Sequence, residues 1–123
     1  MTSFLSESPD FSNIVQQLQG LSVLVIGHRR PDGDCIGSQV AMTRILRSLG
    51  IDATAVNNDP VPRTLQKFIG DTPFVGPSEI KDEEFRVVTV DCADHNRVGD
   101  HLRNRYPQVF LNVDHHVSNT KFA

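Results

Sequence analysis

The sequence contains little cysteine and no long apolar run. Its two cysteines, Cys35 and Cys92, show neither CxxC spacing nor the density of a secreted disulfide scaffold, so we expect a reducing cytoplasm. The longest apolar run covers residues 23–26, which is far too short to cross a bilayer. The N-terminal segment lacks the basic start and apolar stretch of a signal peptide. The composition therefore favours a cytoplasmic protein.

An excess of positive charge is also absent, because the formal net charge is −3. This balance argues against a protein that holds long nucleic acid mainly through a basic surface. Binding of short or small phosphorylated ligands is compatible with this charge, because bound metal ions can supply positive charge locally. With 123 residues and 38% hydrophobic side chains, the chain has room for one domain with a modest core.

Apolar segments alternate with amphipathic ones along the chain. Segment 21–26 is apolar on both faces, which is typical of a central parallel strand covered by helices. We predict further strands at 51–56, 85–91 and 109–114, and helices at 10–20, between the Pro31 turn and Gly50, at 63–69 and at 100–105. The helix before Gly50 has an apolar stripe of Ala41, Met42, Ile45, Leu46 and Leu49. This alternation predicts an α/β fold with a parallel sheet flanked by helices.

Acidic and imidazole side chains follow three of the predicted strands. In an open parallel sheet, ligands bind outside the carboxyl ends of the strands, so side chains from separate strands meet there. Their convergence favours a site with two metal ions. The candidates are His28, Asp32 and Asp34 after the first strand, Asp91 at the end of a later one, and Asp114, His115 and His116 at the end of the last.

Each candidate also has a structural interpretation. Asp34 stands where a helix N-cap belongs, although one carboxylate oxygen can cap while the other binds metal. Asp91 can be an exposed acid at a strand end or the cap of the next turn, whereas a buried, unpaired carboxylate there would be costly. Asp114 and His115 can form a structural pair in a loop. The occurrence of all these residues at one edge favours the metal site.

Carboxylates and imidazoles form a mixed oxygen and nitrogen shell. Such a shell suits Mn²⁺ and permits Mg²⁺, Fe²⁺ or Co²⁺, so we expect a divalent metal cofactor. Thiolates are not required, and we interpret Cys35 and Cys92 as small space-filling residues. Ser38 lies in the first turn of a helix, where it can face a phosphate. Arg97 can hold a phosphate or pair with Asp94.

Three ordered motifs resemble those of the DHH phosphoesterase superfamily. They are HRRPDGDCIGS at 28–38, VDCAD at 90–94 with Arg97 and Gly99, and NVDHH at 112–116 with Asn119 and Phe122. The first motif looks more like the branch of nano-RNases and 3′-phosphoadenosine-5′-phosphate phosphatases than the inorganic pyrophosphatase branch. The resemblance implies a Rossmann-like DHH catalytic domain over residues 1–123. It also implies a hydrolase that acts on short oligonucleotides or small nucleotides.

The resemblance further implies a role for each motif residue. His28, Asp32 and Asp91 would bind one Mn²⁺ ion, and Asp34, Asp91 and His115 would bind a second, with Asp91 as the bridge. His116 would lie close to the phosphate, and Asp114 would orient the histidines that follow it. A hydroxide held between the two metals would attack phosphorus in line.

Members of this superfamily continue past the third motif with another metal-binding aspartate, a linker and a second domain that grips the substrate. The resemblance therefore implies that the domain is incomplete at its C-terminal end and that substrate choice depends on a missing C-terminal domain. An oligomer is compatible with the sequence. Two alternatives stay open. One is a cyclic-dinucleotide phosphodiesterase or pyrophosphatase-like hydrolase, and the other is a catalytically silent domain that binds a nucleotide or a protein.

We expect residues 1–123 alone to bind metal weakly and to hydrolyse little, because a ligand and the substrate-binding surface are missing. The measurement is turnover of a short oligonucleotide with Mn²⁺ by this chain and by a longer form. Comparable turnover by the two forms would contradict the prediction.

Overall fold

The computed structural model describes residues 11–81, 83–91 and 95–113, and within these ranges five strands form one sheet. The strands are β1 (Ser22–Ile26), β2 (Asp52–Val56), β3 (Phe74–Val75), β4 (Phe85–Val90) and β5 (Leu111–Val113). They lie in the order β3-β2-β1-β4-β5, and every neighbouring pair is parallel. The predicted parallel α/β fold is confirmed, and β3 is an additional strand that the sequence pattern does not predict.

Four α-helices and three 3₁₀ turns connect these strands in the described part of the chain. The helices are α1 (Phe11–Leu18), α2 (Gly33–Ser48), α3 (Gln66–Ile69) and α4 (Asp100–Arg105), and the 3₁₀ turns are Arg63–Leu65, Pro77–Glu79 and His95–Val98. Each predicted helix is therefore present, with shifts of a few residues at its ends. None of the described helices combines the length and apolar character needed to cross a membrane.

The central strand β1 has buried side chains on both faces of the sheet. Val23 belongs to a buried cluster with Leu18 of α1 and Leu46 of α2. The next residue, Leu24, belongs to a second cluster with Leu102 of α4. Because successive side chains of a strand point to opposite faces, helices must cover both faces to keep such a strand dry. This arrangement explains the continuous apolar run at 23–26.

The register of the strands brings their carboxyl ends to one edge. Ile26 of β1 is level with Val56 of β2 and Thr89 of β4. The residues that follow these three strands therefore come side by side, although they are distant in sequence. The loop after β1, Asn57 after β2 and Asp91 after β4 meet at this edge.

Helix α2 begins one residue after its N-cap, Asp32. The backbone of Asp32 is extended, and its Oδ1 accepts a hydrogen bond of 2.9 Å from the amide of Cys35. This is the usual geometry of an N-cap aspartate. Asp34 lies inside the first helical turn and is exposed, so the alternative that Asp34 caps the helix is wrong.

The buried face of α2 differs from its apolar stripe. Ile45 and Leu49 of the stripe are 46% and 42% exposed, and Ala41 is also exposed. The buried residues are Cys35, Ile36, Gln39, Thr43 and Leu46. The buried face therefore overlaps the stripe at Leu46 and also includes two polar residues, Gln39 and Thr43.

Gln39 is completely buried and bonds to two strands. Its Nε2 donates to the carbonyl of Val25 at 3.0 Å and to the carbonyl of Val56 at 3.2 Å. Its Oε1 accepts from Nδ2 of Asn57 at 2.7 Å, and Oδ1 of Asn57 accepts from the amide of Gly27 at 3.0 Å. A buried amide is tolerated when its donors and acceptor are satisfied in this way.

We predict that Gln39→Ala lowers the free energy of unfolding by about 3–5 kcal/mol, because it removes buried volume and leaves buried polar partners unsatisfied. Urea denaturation at constant m-value measures the change. Ser48→Ala, an exposed change on the same helix, is the control and should stay within about 0.5 kcal/mol of wild type. Equal midpoints for Gln39→Ala and wild type would contradict the role given to this side chain.

Candidate metal centre

The loop after β1 presents His28 at the edge of the sheet. His28 is 6% exposed, and its Nδ1 lies 2.7 Å from the carbonyl oxygen of Arg29. Because a carbonyl oxygen can only accept, Nδ1 of His28 must carry the hydrogen in this contact. In the neutral ring, Nε2 then has an available lone pair. Metal-binding histidines commonly show this arrangement, with the second ring nitrogen bonded to a carbonyl or carboxylate.

Two carboxylates face Nε2 of His28 from different elements. Oδ2 of Asp91 lies 3.5 Å from Nε2, and Oδ1 of Asp32 lies 3.7 Å from it. Asp91 is 4% exposed, whereas the side chain of Asp32 is 65% exposed. Nε2 of His28 thus lies near one buried and one exposed carboxylate at the edge of the sheet. A divalent cation fits this donor set, because it satisfies a lone pair and two negative charges at once.

Backbone hydrogen bonds hold both the residue after β4, Asp91, and the loop that carries His28. The amide of Asp91 donates to the carbonyl of Val113 at 2.9 Å, and the φ angle of Asp91 is +52°. Arg30 also has a φ angle of +52°, and its amide donates to Oδ2 of Asp59 at 2.7 Å. The amide of Arg29 donates to the carbonyl of Arg97. Left-handed backbone at non-glycine residues is uncommon, and here it occurs in both segments that form the candidate site, the loop after β1 and the residue after β4.

Cys35 is a third buried residue of this cluster. Ligand atoms of His28, Cys35 and Asp91 all lie within 4.8 Å of one another, and all three residues are buried. The sequence pattern indicates only a space-filling role for Cys35, whereas the fold places its sulfur near His28 and Asp91. The signal that points to it is the spacing from Asp32, because a residue three positions after an N-cap is held against that cap.

The remaining predicted site residues have different positions. Asp34 is exposed in the first turn of α2, outside the cluster of buried ligand atoms. Ser38 is half-buried and lines a cleft of about 320 Å³ together with Asp91. Arg97 is exposed, and its backbone carbonyl contacts the His28 loop as described above. The structure therefore brings the backbone of Arg97 and the side chain of Ser38 next to the candidate site.

Most of the third motif falls outside the described residues. Asp114, His115 and His116 lie there, as do Asp94 and Cys92. The predicted second metal position, which requires His115 beside Asp34, therefore stays a prediction. The pairing of Arg97 with Asp94 likewise stays an open alternative.

Comparison with known proteins finds a family and several relatives. The family model "DHH family, N-terminal domain" matches residues 22–123. The bifunctional oligoribonuclease and PAP phosphatase NrnA of Thermus thermophilus is 30% identical over 112 residues, which are 91% of this chain and 33% of that protein. A probable manganese-dependent inorganic pyrophosphatase of Streptococcus mutans is 34% identical over 108 residues, which are 82% of this chain and 34% of that protein. The chain spans about a third of the length of these relatives.

We predict that Asp59→Ala weakens Mn²⁺ binding by about tenfold. The change removes the hydrogen bond to Arg30, a contact with a charged acceptor of the kind worth about 1.5–3 kcal/mol, and lets the strained loop at His28 relax. Isothermal titration calorimetry with Mn²⁺ measures the affinity. Asp59→Asn keeps an acceptor oxygen and should lose less affinity than Asp59→Ala.

The matched control is Asp71→Ala, which removes an exposed acid that pairs with Arg44 at the surface. Exposed ion pairs contribute little, so its Mn²⁺ affinity should equal that of wild type. Equal losses of affinity in Asp59→Ala and Asp71→Ala would show that general surface charge, rather than the position of the loop, controls binding.

Proposed function

The chain belongs to the DHH family, and we propose that it is the metal-binding part of a phosphoesterase that hydrolyses short oligonucleotides or 3′-phosphoadenosine 5′-phosphate. The observation that carries the proposal is the position of Nε2 of His28, which lies within 3.7 Å of a carboxylate oxygen of both Asp32 and Asp91 at the carboxyl edge of the sheet. Similarity to the oligoribonuclease and PAP phosphatase of Thermus thermophilus supports this substrate class.

We propose that His28, Asp32 and Asp91 hold one divalent ion, with Mn²⁺ as the favoured metal. The manganese-dependent relatives support this choice, and so does the mixed nitrogen and oxygen donor set. Asp34 and His115 would hold a second ion, with Asp91 as the ligand shared between the two. When bound, such ions supply a Lewis acid and an activated water for attack on phosphorus.

The protein residues would orient the metal ligands and the substrate. The carbonyl of Arg29 fixes the tautomer of His28, so Nε2 always presents its lone pair to the same point. The Asp32 carboxylate has two oxygens, and the one that caps α2 also faces His28. The same oxygen atom of Asp32 therefore contacts both the N-terminus of α2 and the proposed metal ligand His28. Ser38 and Arg97 would contact the phosphate, His116 would lie next to it, and Asp114 would orient the histidines.

A manganese-dependent inorganic pyrophosphatase is the second candidate. The relative from Streptococcus mutans supports it, with 34% identity over 82% of this chain. Oligonucleotides, 3′-phosphoadenosine 5′-phosphate and pyrophosphate would all present a phosphate group to the proposed metal position. These substrates differ in the group attached to that phosphate. The proposed metal ligands alone therefore do not discriminate among the three substrates. A panel of these three substrates, compared by kcat/KM, distinguishes the candidates.

Asp91→Ala provides the decisive test of the metal-dependent hydrolase. Loss of a residue that only supports a ligand costs roughly 10–100-fold in metal affinity, so loss of this proposed bridging ligand should cost at least about 100-fold. Mn²⁺ affinity is measured by calorimetry, and Mn²⁺-dependent hydrolysis is followed with the three substrates at high protein concentration. Asp71→Ala again serves as the control and should retain both properties.

Two results would contradict the proposal. Unchanged Mn²⁺ affinity in Asp91→Ala would remove Asp91 from the metal position. Retained Mn²⁺ binding by wild type, with no hydrolysis of any substrate by this chain or by a longer form, would favour a catalytically silent nucleotide- or protein-binding domain.

A further inference from the structure

Three buried side chains with different donor atoms lie close together at the carboxyl edge of the sheet. His28 follows β1, Cys35 lies in the first turn of α2, and Asp91 follows β4. One ligand atom from each, a nitrogen, the sulfur and a carboxylate oxygen, lies within 4.8 Å of the other two. Zinc bonds sulfur at about 2.3 Å and nitrogen or oxygen at about 2.0–2.2 Å, so ligand atoms around one tetrahedral ion lie roughly 3.3–3.6 Å apart. The three side chains would therefore move inward to bind one ion.

The space for the sulfur depends on a glycine at the end of β1. A Cβ atom at Gly27 would lie 2.3 Å from Sγ of Cys35, a distance at which the two atoms cannot coexist. The same Cβ would lie 2.9 Å from both Oδ1 of Asn57 and Oε1 of Gln39. Gly27 therefore leaves a cradle that the sulfur occupies. The amide of Cys35 is held by Asp32, which fixes the start of the helix beside this cradle.

The chemistry of this trio differs from that of the trio proposed for Mn²⁺. Replacing the exposed oxygen ligand of Asp32 by the buried sulfur of Cys35 changes an oxygen-rich set into a mixed sulfur, nitrogen and oxygen set. Thiolates select soft or borderline metals such as Zn²⁺, whereas carboxylates suit Mn²⁺. Three protein ligands with one open position are also a common zinc arrangement. His28 and Asp91 belong to both sets, so the two metals would compete for them.

We propose that Cys35 is a metal ligand, and that His28, Cys35 and Asp91 form a site for a thiophilic divalent cation such as Zn²⁺, which competes with Mn²⁺. On binding, the S–H bond of Cys35 is replaced by an S–metal bond, and the proton passes to solvent. The inference rests on the metal position proposed above, but it does not depend on hydrolysis. Cys35 would then determine which metal binds at this edge of the sheet.

The test uses Co²⁺ as a spectroscopic probe for Zn²⁺, because a thiolate ligand gives a charge-transfer absorption in the near ultraviolet. Wild type, Cys35→Ser and Cys92→Ser are each titrated with Co²⁺. We expect the absorption in wild type and in Cys92→Ser and its loss in Cys35→Ser. The two single variants are a matched pair, because the sequence contains two cysteines. An absorption that survives in Cys35→Ser would overturn the proposal.

Metal selectivity gives a second readout. In Cys35→Ser, Zn²⁺ affinity should fall at least about tenfold, while Mn²⁺ affinity should stay within about twofold of wild type, because only Zn²⁺ uses the sulfur. Competition between Zn²⁺ and Mn²⁺ for the wild-type chain, followed by calorimetry, measures both affinities. Equal losses for the two metals in a folded variant, as judged by circular dichroism, would show that Cys35 acts only through packing.

A measurement on the unmodified chain covers the case in which the variants do not fold. X-ray absorption spectroscopy of the Zn²⁺-loaded chain should show one sulfur neighbour at about 2.3 Å, and that of the Mn²⁺-loaded chain should show none. Absence of the sulfur neighbour from the Zn²⁺-loaded chain would overturn the proposal. Failure of Mn²⁺-dependent hydrolysis would leave the cobalt absorption and this sulfur neighbour in place. Loss of those two signals would leave hydrolysis in place, so the two proposals fail separately.

Discussion

The side-chain amide of Gln39 joins helix α2 to the carboxyl ends of the two central strands β1 and β2. It donates to one carbonyl of each strand and accepts from Asn57, whose own oxygen binds the amide of Gly27. This chain of buried hydrogen bonds holds one side of α2 against the carboxyl ends of β1 and β2. Cys35 lies one turn before Gln39 on the same buried side of the helix.

Strain and hydrogen bonds together define the edge of the sheet where the ligands meet. Arg30 and Asp91 both adopt left-handed backbone, a conformation that costs roughly 1–3 kcal/mol at such positions. Each is held by an amide hydrogen bond, to Asp59 and to Val113 respectively. The fold thus stabilises a local geometry that an isolated loop would avoid. Such outliers commonly mark functional sites, and here they flank His28 on both sides.

The donor atoms at this edge connect the geometry with phosphoester chemistry. An imidazole nitrogen and two carboxylate oxygens suit a hard or borderline divalent ion, and a buried thiol next to them adds a softer donor. Family membership and the relatives support a role in phosphate hydrolysis. In the two proposed sites, which share His28 and Asp91, the exposed Asp32 would favour one metal and the buried Cys35 another.

Much of the fold and the outline of the site are determined by the sequence alone. Apolar runs such as 23–26 predict buried parallel strands, and the acids and imidazoles that follow them predict the edge at which they meet. These features are local or follow from the topology of parallel sheets. The tertiary structure decided what depends on partners distant in sequence. Gln39 joins Leu46 on the buried face of α2, Asp32 instead of Asp34 caps the helix, and Cys35 lies near His28 and Asp91. Sequence periodicity measures apolar content, whereas the rotation of a helix on a sheet depends on which buried polar groups find partners.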